Sequence, residues 1–341
     1  MNKFKFYFIV LSSVMILFSC NKTDPPYVEP IRAFSTQFTI DNVIIEKYLN
    51  DHYIKTIIDH PGFSDDQDIV FDIKTPEIVK PTLWSLLNST TYPKLLSIDV
   101  PLHDIVYKVY YLKLRPDLTT GKKPERVDNV LVSYDGSYLA TGAEPKRFEY
   151  NPFPQQMFDL SAVIKGWQEL IPLFRSGVVD VNEGANPAIY TNFGAGVMFI
   201  PSGLAYFYEA KSNIPAYSPL MFSFKLYDVA DGDQDGDGII SKDEDLTSDQ
   251  NYANDDTDGD GVQNYLDVDD DGDGYLTKFE TKRPDTIVDG VTIINGYYPF
   301  NGAAVDDLST LYDETKGVPS CGDSDFTTPS RKRKYLDSSC H

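Results

Sequence analysis

Between Phe158 and Phe174 the chain reads FDLSAVIKGWQELIPLF. Val163, Ile164, Trp167, Ile171 and Phe174 recur at helical spacing, which gathers them on one stripe of a helix. Ser161 stands where a hydroxyl accepts from the free amides of a first turn. The pattern predicts a helix from Ala162 to Phe174 with an apolar side to bury. Upstream, VDNVLVSYDG at 127–136 alternates apolar and polar residues as a half-buried strand does, with a turn expected at Asp135-Gly136. Downstream, Gly196–Ile200 (GVMFI) and Leu220–Val229 (LMFSFKLYDV) read as strands, as do 67–74 and 105–114, all rich in β-branched and aromatic residues. Asn42–His52 has helical spacing, with Asp41 as its expected N-cap. Strands surrounding one short amphipathic helix specify an α+β domain.

The 341 residues are 41% hydrophobic and 13% aromatic, enough to bury a sizeable core in one or two domains. A formal net charge of −22 argues against nucleic acid as a partner, because phosphates repel such a surface. Only four His are present and no Ser/His/Asp or Cys/His arrangement stands out, which leaves a calcium-dependent hydrolase poorly supported. No segment specifies an oligomeric state.

Five segments carry a family likeness: VLVSYDG (130–136), RFE (147–149), FDLSAVIKGW (158–167), MFIPSGLAY (198–206) and NIPAYSPLMFSFKL (213–226). In order and approximate spacing they resemble an FKBP-type peptidyl-prolyl isomerase domain, from about Tyr107 to Asp228. The resemblance implies a twisted antiparallel sheet wrapped around the short helix, with a shallow aromatic pocket between them. It implies a pocket of Tyr134, Phe148, Phe158, Val163, Ile164, Trp167, Tyr206, Ile214 and Phe222. Trp167 would be the floor under a proline ring, the Ile164 backbone would bond the peptide, and the Tyr206 hydroxyl would reach the proline's carbonyl. The sequence departs from the family at Glu149, where Asp is usual, at Phe207, where Gly is usual, and at Gln156, where an aromatic is common. An extra loop runs between Gly177 and Gly196. The competing reading of Trp167, Ile164 and Phe222 is plain core, since apolar stripes at helical spacing usually are core.

From Asp231 to Glu280 there are 18 Asp and Glu against two Lys, so −16 of the −22 sits in fifty residues. Calcium loops take oxygen ligands at positions 1, 3, 5, 7, 9 and 12, with Gly at 6. DQDGDGIISKDE places Asp233, Asp235, Asp237 and Glu244 at 1, 3, 5 and 12, with Gly238 at 6. DDDGDGYLTKFE does the same with Asp269, Asp271, Asp273, Glu280 and Gly274. A third register, DTDGDGVQNYLD, supplies Asp256, Asp258 and Asp260 but ends in Asp267, which the next loop is free to share. The region resembles EF-hand-like and thrombospondin type 3 repeats, although a strand enters the first loop where a paired EF-hand would have a helix. It is expected to hold two to four Ca²⁺ as structural cofactor; the alternative is a disordered acidic spacer.

The N-terminus has Lys3 and Lys5 before an apolar run from Phe6 to Phe18, too short to span a bilayer comfortably, which is a secretory signal layout. Leu17-Phe18-Ser19-Cys20 resembles a bacterial lipobox, so Cys20 is the expected lipidation site; the alternative is an uncleaved anchor. Cys321 and Cys340 then remain as an even number in an oxidising compartment and are expected to pair; the alternative is two free thiols in a frayed end. The run Arg331-Lys332-Arg333-Lys334 reads as a solvated basic patch.

The expected organisation is a signal peptide at 1–19, a tether at 20–33, a region of open role at 34–105, the isomerase domain at 106–229, calcium repeats at 230–285 and a tail at 286–341. The expected protein is a lipid-anchored isomerase of the Gram-negative envelope, at the outer membrane, acting on proline-containing exported proteins without a catalytic cofactor. The alternative is a non-catalytic proline-peptide-binding or adhesion module on a calcium-stabilised stalk.

Overall fold

Along β10 (Gly194–Ile200) every residue is buried, because the strand has packed layers on both faces. Val197 and Phe199 point to one layer, Met198 and Ile200 to the other. The computed structural model describes residues 30–58, 67–117, 120–180 and 188–340. Two units divide the chain, Met1–Ala33 and Phe34–His341, and the second holds all the elements that follow. The signal segment, Cys20 and most of the tether lie outside the described residues. Among the described residues no helix is long and apolar enough to cross a membrane.

The central sheet is antiparallel in the order β3 (Lys94–Leu102), β4 (Ile105–Lys113), β10, β11 (Leu220–Ala230), β5 (Asn129–Ala140), β6 (Ala143–Asn151), with β7 (Phe158–Asp159) also on β5. One face packs on α2 (Lys165–Leu170) through Trp167, Leu170 and the following turn residues Ile171 and Phe174. The other packs on α1 (Phe34–Asp51) through Ile45, Tyr48 and Leu49. Residues 34–105 therefore supply a helix and an edge strand to this sheet, and residue 105 falls inside the β3–β4 hairpin. β1 (His52–Ile58) and β2 (Asp68–Ile73) form a separate hairpin.

Three local expectations are corrected. The helix expected over Ala162–Phe174 is α-helical only at Lys165–Leu170, with 3₁₀ turns at Leu160–Ala162 and Ile171–Leu173. Val163 and Ile164 are extended between them, and Pro172 ends the α-helical hydrogen bonding. Asp159, not Ser161, is the capping acceptor: its carboxylate takes the Ser161 amide at 2.8 Å. The turn expected at Asp135-Gly136 is uninterrupted strand, since β5 runs on to Ala140. Gly136 is there for close approach: a Cβ would stand 2.7 Å from the Phe148 ring and 2.9 Å from that of Phe222. Finally, α1 begins at Phe34, so Asp41 is interior and fully buried. Its carboxylate accepts from the Ser202 amide at 2.7 Å and the Ser202 hydroxyl at 2.6 Å, pinning α1 to the turn after β10.

Beyond β11 the chain is mostly irregular, with a helical turn at Thr277–Glu280 and a hairpin of β12 (Thr286–Val288) and β13 (Val291–Ile293). Its end returns to the acidic segment: Ile239, Val318 and Tyr335 form a small core. Cys321 and Cys340 are disulfide-bonded, with Cα atoms 5.5 Å apart. Arg331 and Arg333 are buried rather than solvated. Arg331 donates to the Val318 carbonyl at 2.6 Å and Arg333 to that of Phe300 at 3.0 Å. The inserted loop carries a hairpin of β8 (Val178–Asp180) and β9 (Ile189–Thr191), whose Tyr190 stacks on Tyr227.

Candidate functional site

Trp167 lies in the first turn of α2, one residue after Gly166, where a Cβ would meet Ile200 at 2.5 Å. The helix consequently sits low on the sheet, and the indole becomes the hub of an aromatic group. Tyr134, Phe222 and Phe158 each meet it edge to face, at centroid distances of 5.2, 5.3 and 5.8 Å. Phe148 leans on Phe222 at 5.6 Å. Edge-to-face packing around one ring fixes that ring's plane. The register explains the convergence: Phe222 pairs with Gly136 on β5, Gly136 with Glu149 on β6, and Tyr134 with Phe224.

Val163, Ile164 and Tyr206 are half-buried against the same cluster, and Ile214 is buried in it. The nine residues of the expected pocket thus fall within one apolar cluster on this face of the sheet. Burial first, and the neighbouring Glu149 carboxylate second, raise the Tyr134 hydroxyl well above the ordinary phenol range. The Lys211 ammonium lies 5.1 Å from the Tyr206 ring centre. Phe207 adopts φ +50° and is buried, its ring stacked on Phe34 of α1 at 4.1 Å. A left-handed backbone with a large side chain is strained; here the ring is used to dock the N-terminal helix.

The acidic loops repeat one backbone design. Gly236 and Gly238, Gly259 and Gly261, Gly272 and Gly274 all have positive φ, which glycine adopts without a Cβ clash. One oxygen of each aspartate ties the loop: Asp233 accepts from Gly236, Asp256 from Gly259, and Asp269 from Gly274, at 2.8–3.0 Å. The second Asp256 oxygen also accepts, from Gly261 at 3.1 Å, whereas in the other two loops Asp235 Oδ2, Asp237 Oδ2, Asp269 Oδ1 and Asp271 Oδ2 are buried without a hydrogen-bond partner. Three triads bring their carboxylates together, Asp233/Asp235/Asp237, Asp256/Asp258/Asp260 and Asp269/Asp271/Asp273. A fourth joins different loops, Asp237/Glu244/Asp270. Glu280, in the twelfth position, is buried beside Asp271, Asp273 and Asp269, and Asp267 is close to Asp258, Asp260 and Asp269.

Position 9 behaves differently from a ligand site. Ser241, Asn264 and Thr277 are buried and hydrogen-bonded to position 2 of their own loops, Gln234, Thr257 and Asp270. Asp270, at position 2 of the third loop, also comes beside Asp237 and Glu244 of the first. The spacing rule covers positions 1, 3, 5, 7, 9 and 12 and not position 2, so it passes over Asp270; the one signal was an unbroken Asp269-Asp270-Asp271.

Asp237, Glu244 and Asp270 are each 1% exposed, and Asp237 Oδ2, both Glu244 oxygens and Asp270 Oδ1 have no hydrogen-bond partner. Buried carboxylates without partners are costly unless neutralised. Burial first, and crowding by neighbouring carboxylates second, pushes Glu244 up to about 11. Burial likewise pushes Asp270 up to about 9, with Asp237 and Asp235 adding to it. Oxygen-only ligands on glycine-hinged loops suit a hard divalent cation, which replaces those protons.

A family model described as BamM C-terminal matches residues 234–311. No curated protein matches the chain. Among solved structures, a peptidyl-prolyl cis-trans isomerase from Pseudomonas syringae pv. tomato is 27% identical over 36% of this chain and 75% of its own, with a TM-score of 0.28. FkpA from Escherichia coli is 27% identical over 36% of this chain and 47% of its own, with a TM-score of 0.27.

Proposed function

We propose that this chain is a peptidyl-prolyl isomerase of the FKBP type with a calcium-built C-terminal extension. The observation that carries the reading is the Trp167 indole, held edge-on by Tyr134, Phe158 and Phe222 at the end of a helix under half-buried Val163, Ile164 and Tyr206. Rotation about an X-Pro bond meets a barrier of ~18–20 kcal/mol because the planar amide is resonance-stabilised. An apolar aromatic surface disfavours the polar planar form, and a donor such as Tyr206 favours the twisted one; no nucleophile is required. Phe153, 80% exposed between β6 and β7, would offer an apolar handhold to an unfolded client.

The loops would hold Ca²⁺ through Asp233, Asp235, Asp237 and Glu244, through Asp256, Asp258, Asp260 and Asp267, and through Asp269, Asp271, Asp273 and Glu280, with Asp270 completing the first site. Calcium would supply the positive charge that lets Asp237, Glu244, Asp270, Asp271 and Glu280 stay buried. An envelope location is supported by the signal layout ending at Cys20 and by the Cys321–Cys340 bond, which suits an oxidising compartment. Its clients would be proline-containing exported proteins.

The test is a protease-free isomerisation assay on the full chain with X-Pro peptides, in Ca²⁺ and then in chelator. Acceleration that Trp167→Leu abolishes is the expected result. A folded, calcium-loaded protein that gives no acceleration would eliminate the catalytic reading and leave a proline-peptide-binding module.

A further inference from the structure

Arg283 is only 5% exposed, yet no carboxylate of the described residues pairs with it, and its Nε has no acceptor. Its guanidinium is stacked 3.9 Å from the Tyr312 ring centre and lies 5.2 Å from that of Tyr298. Aromatic faces attract a cation but offer none of its N–H groups an acceptor. A buried, unpaired guanidinium is costly to keep, so something that completes it is expected.

A cavity of about 360 Å³ lies elsewhere, between β1 and residues 80–93, and is lined by Ile54, Ile57, Pro81, Leu86 and Pro93 with Thr56 and Lys80. The one beside Arg283 differs: it measures about 240 Å³ and includes Asn295, Lys316, Asp313 and Leu311 in its wall. Asn295 donates to the Pro284 carbonyl at 2.6 Å and the Thr286 hydroxyl at 2.7 Å. A carbonyl only accepts, so these bonds fix the amide's orientation and leave Asn295 Oδ1 buried without a donor. Lys316 and Asp313 pair with each other at 3.8 Å, and Asp313 also accepts from the Thr315 amide at 3.0 Å. The wall's net charge is thus the single positive charge of Arg283, which matches a monoanion rather than a phosphate dianion.

The missing partners are an anion with two acceptor oxygens for the guanidinium fork and an N–H for Asn295 Oδ1. A peptide's C-terminal carboxylate and its preceding amide provide both. Leu311, Pro284 and the two tyrosine rings offer an apolar surface for the terminal side chain. We propose that this cavity binds the carboxyl terminus of a peptide, with Arg283 on the carboxylate and Asn295 on the last amide.

The experiment is calorimetric titration of the calcium-loaded full chain with acetyl-Ala-Leu as free acid, with the same dipeptide as C-terminal amide, and with inorganic phosphate. The free acid should bind, the amide at least tenfold more weakly, and phosphate no more tightly than the acid. Arg283→Met should lose at least tenfold for the acid with near-ultraviolet dichroism and calcium uptake unchanged. Should that variant fail to fold, Arg283→Lys keeps the charge but not the fork and should still lose severalfold. Acid and amide binding alike, no heat from the acid at millimolar concentration, tighter phosphate, or undiminished acid binding in the folded arginine variants would each overturn the proposal.

Discussion

Trp167 of α2 with Phe222 and Phe224 of the sheet beneath it, and Asp237, Glu244 and Asp270 in the acidic loops, are all less than a twentieth exposed. Burial means opposite things in the two regions. Apolar side chains leaving water contribute roughly 1.5–3 kcal/mol each, so the sheet is held by its own residues. Carboxylates leaving water cost free energy until a partner arrives, so the loops are held by whatever neutralises them. Similar burial thus marks an autonomous fold in one place and a conditional one in the other.

The comparison breaks most visibly if calcium is removed. Chelation should make 231–340 susceptible to limited proteolysis while the near-ultraviolet signal of Trp167 persists; a loaded site at a thousandfold excess over Kd contributes about 4 kcal/mol. Equal protease resistance with and without chelator would show that the loops do not depend on a cation. The converse probe is Trp167→Ala, expected to cost about 3–5 kcal/mol in the sheet. Calcium titrations should be unchanged, whereas a lost calcium isotherm would mean that the loops lean on the sheet for their shape.

Asp270→Asn sharpens the contrast because its sign should invert. With calcium it should weaken one site by tenfold or more, read by calorimetry. In chelator it should raise the melting temperature, since it removes a carboxylate that must take up a proton to stay buried; a drop in both conditions would mean that Asp270 is needed for the hydrogen bond it accepts from Thr277. Acidity should act in the same two directions. Burial and crowding raise Asp237 from 3.8 to about 7, Glu280 from 4.5 to about 8 and Asp270 from 3.8 to about 9. Raised acids favour the folded state below their unfolded values, and that contribution disappears as pH rises through the folded ones. Chelated protein should therefore gain stability from pH 8 to pH 5, while calcium-loaded protein loses it as protons displace the ion. Parallel melting curves in both buffers would contradict the scheme.

These results bear on what the sequence made legible. The alternation at 127–136, the β-branched and aromatic run that became β11 and the odd-position aspartates were readable because each signal repeats at a short, fixed spacing along the chain. The length of α2 was not, because the apolar stripe continues through 3₁₀ turns on either side of six α-helical residues. Asp41 is a helix-capping type whose partner, Ser202, lies far along the chain and became visible only in three dimensions. Gly136 has the turn-former's identity but serves ring packing. Asp270 and Gln234 both occupy position 2, and each also meets a group outside its own loop; no local rule says which.

Gln234 therefore gives the finest test, because it joins the two regions. Its side-chain amide donates to the Val127 carbonyl at 2.8 Å and to Asp159 Oδ1 at 3.1 Å. The same Asp159 oxygen accepts from the Ser161 amide at 2.8 Å, and Asp159 follows Phe158, whose ring packs on Trp167. Loop 1 is thus three residues from the aromatic hub by direct contact, and Gln234→Ala should cost only about 1 kcal/mol of stability. Contiguity is not coupling, which has to be measured as a difference. If calcium orders the hub through this contact, chelator should slow isomerisation by the wild type, and calcium-loaded Gln234→Ala should already run at the slower rate. If chelator slows both proteins equally, the coupling takes another route; if it slows neither, the two regions share a chain and a surface but no free energy.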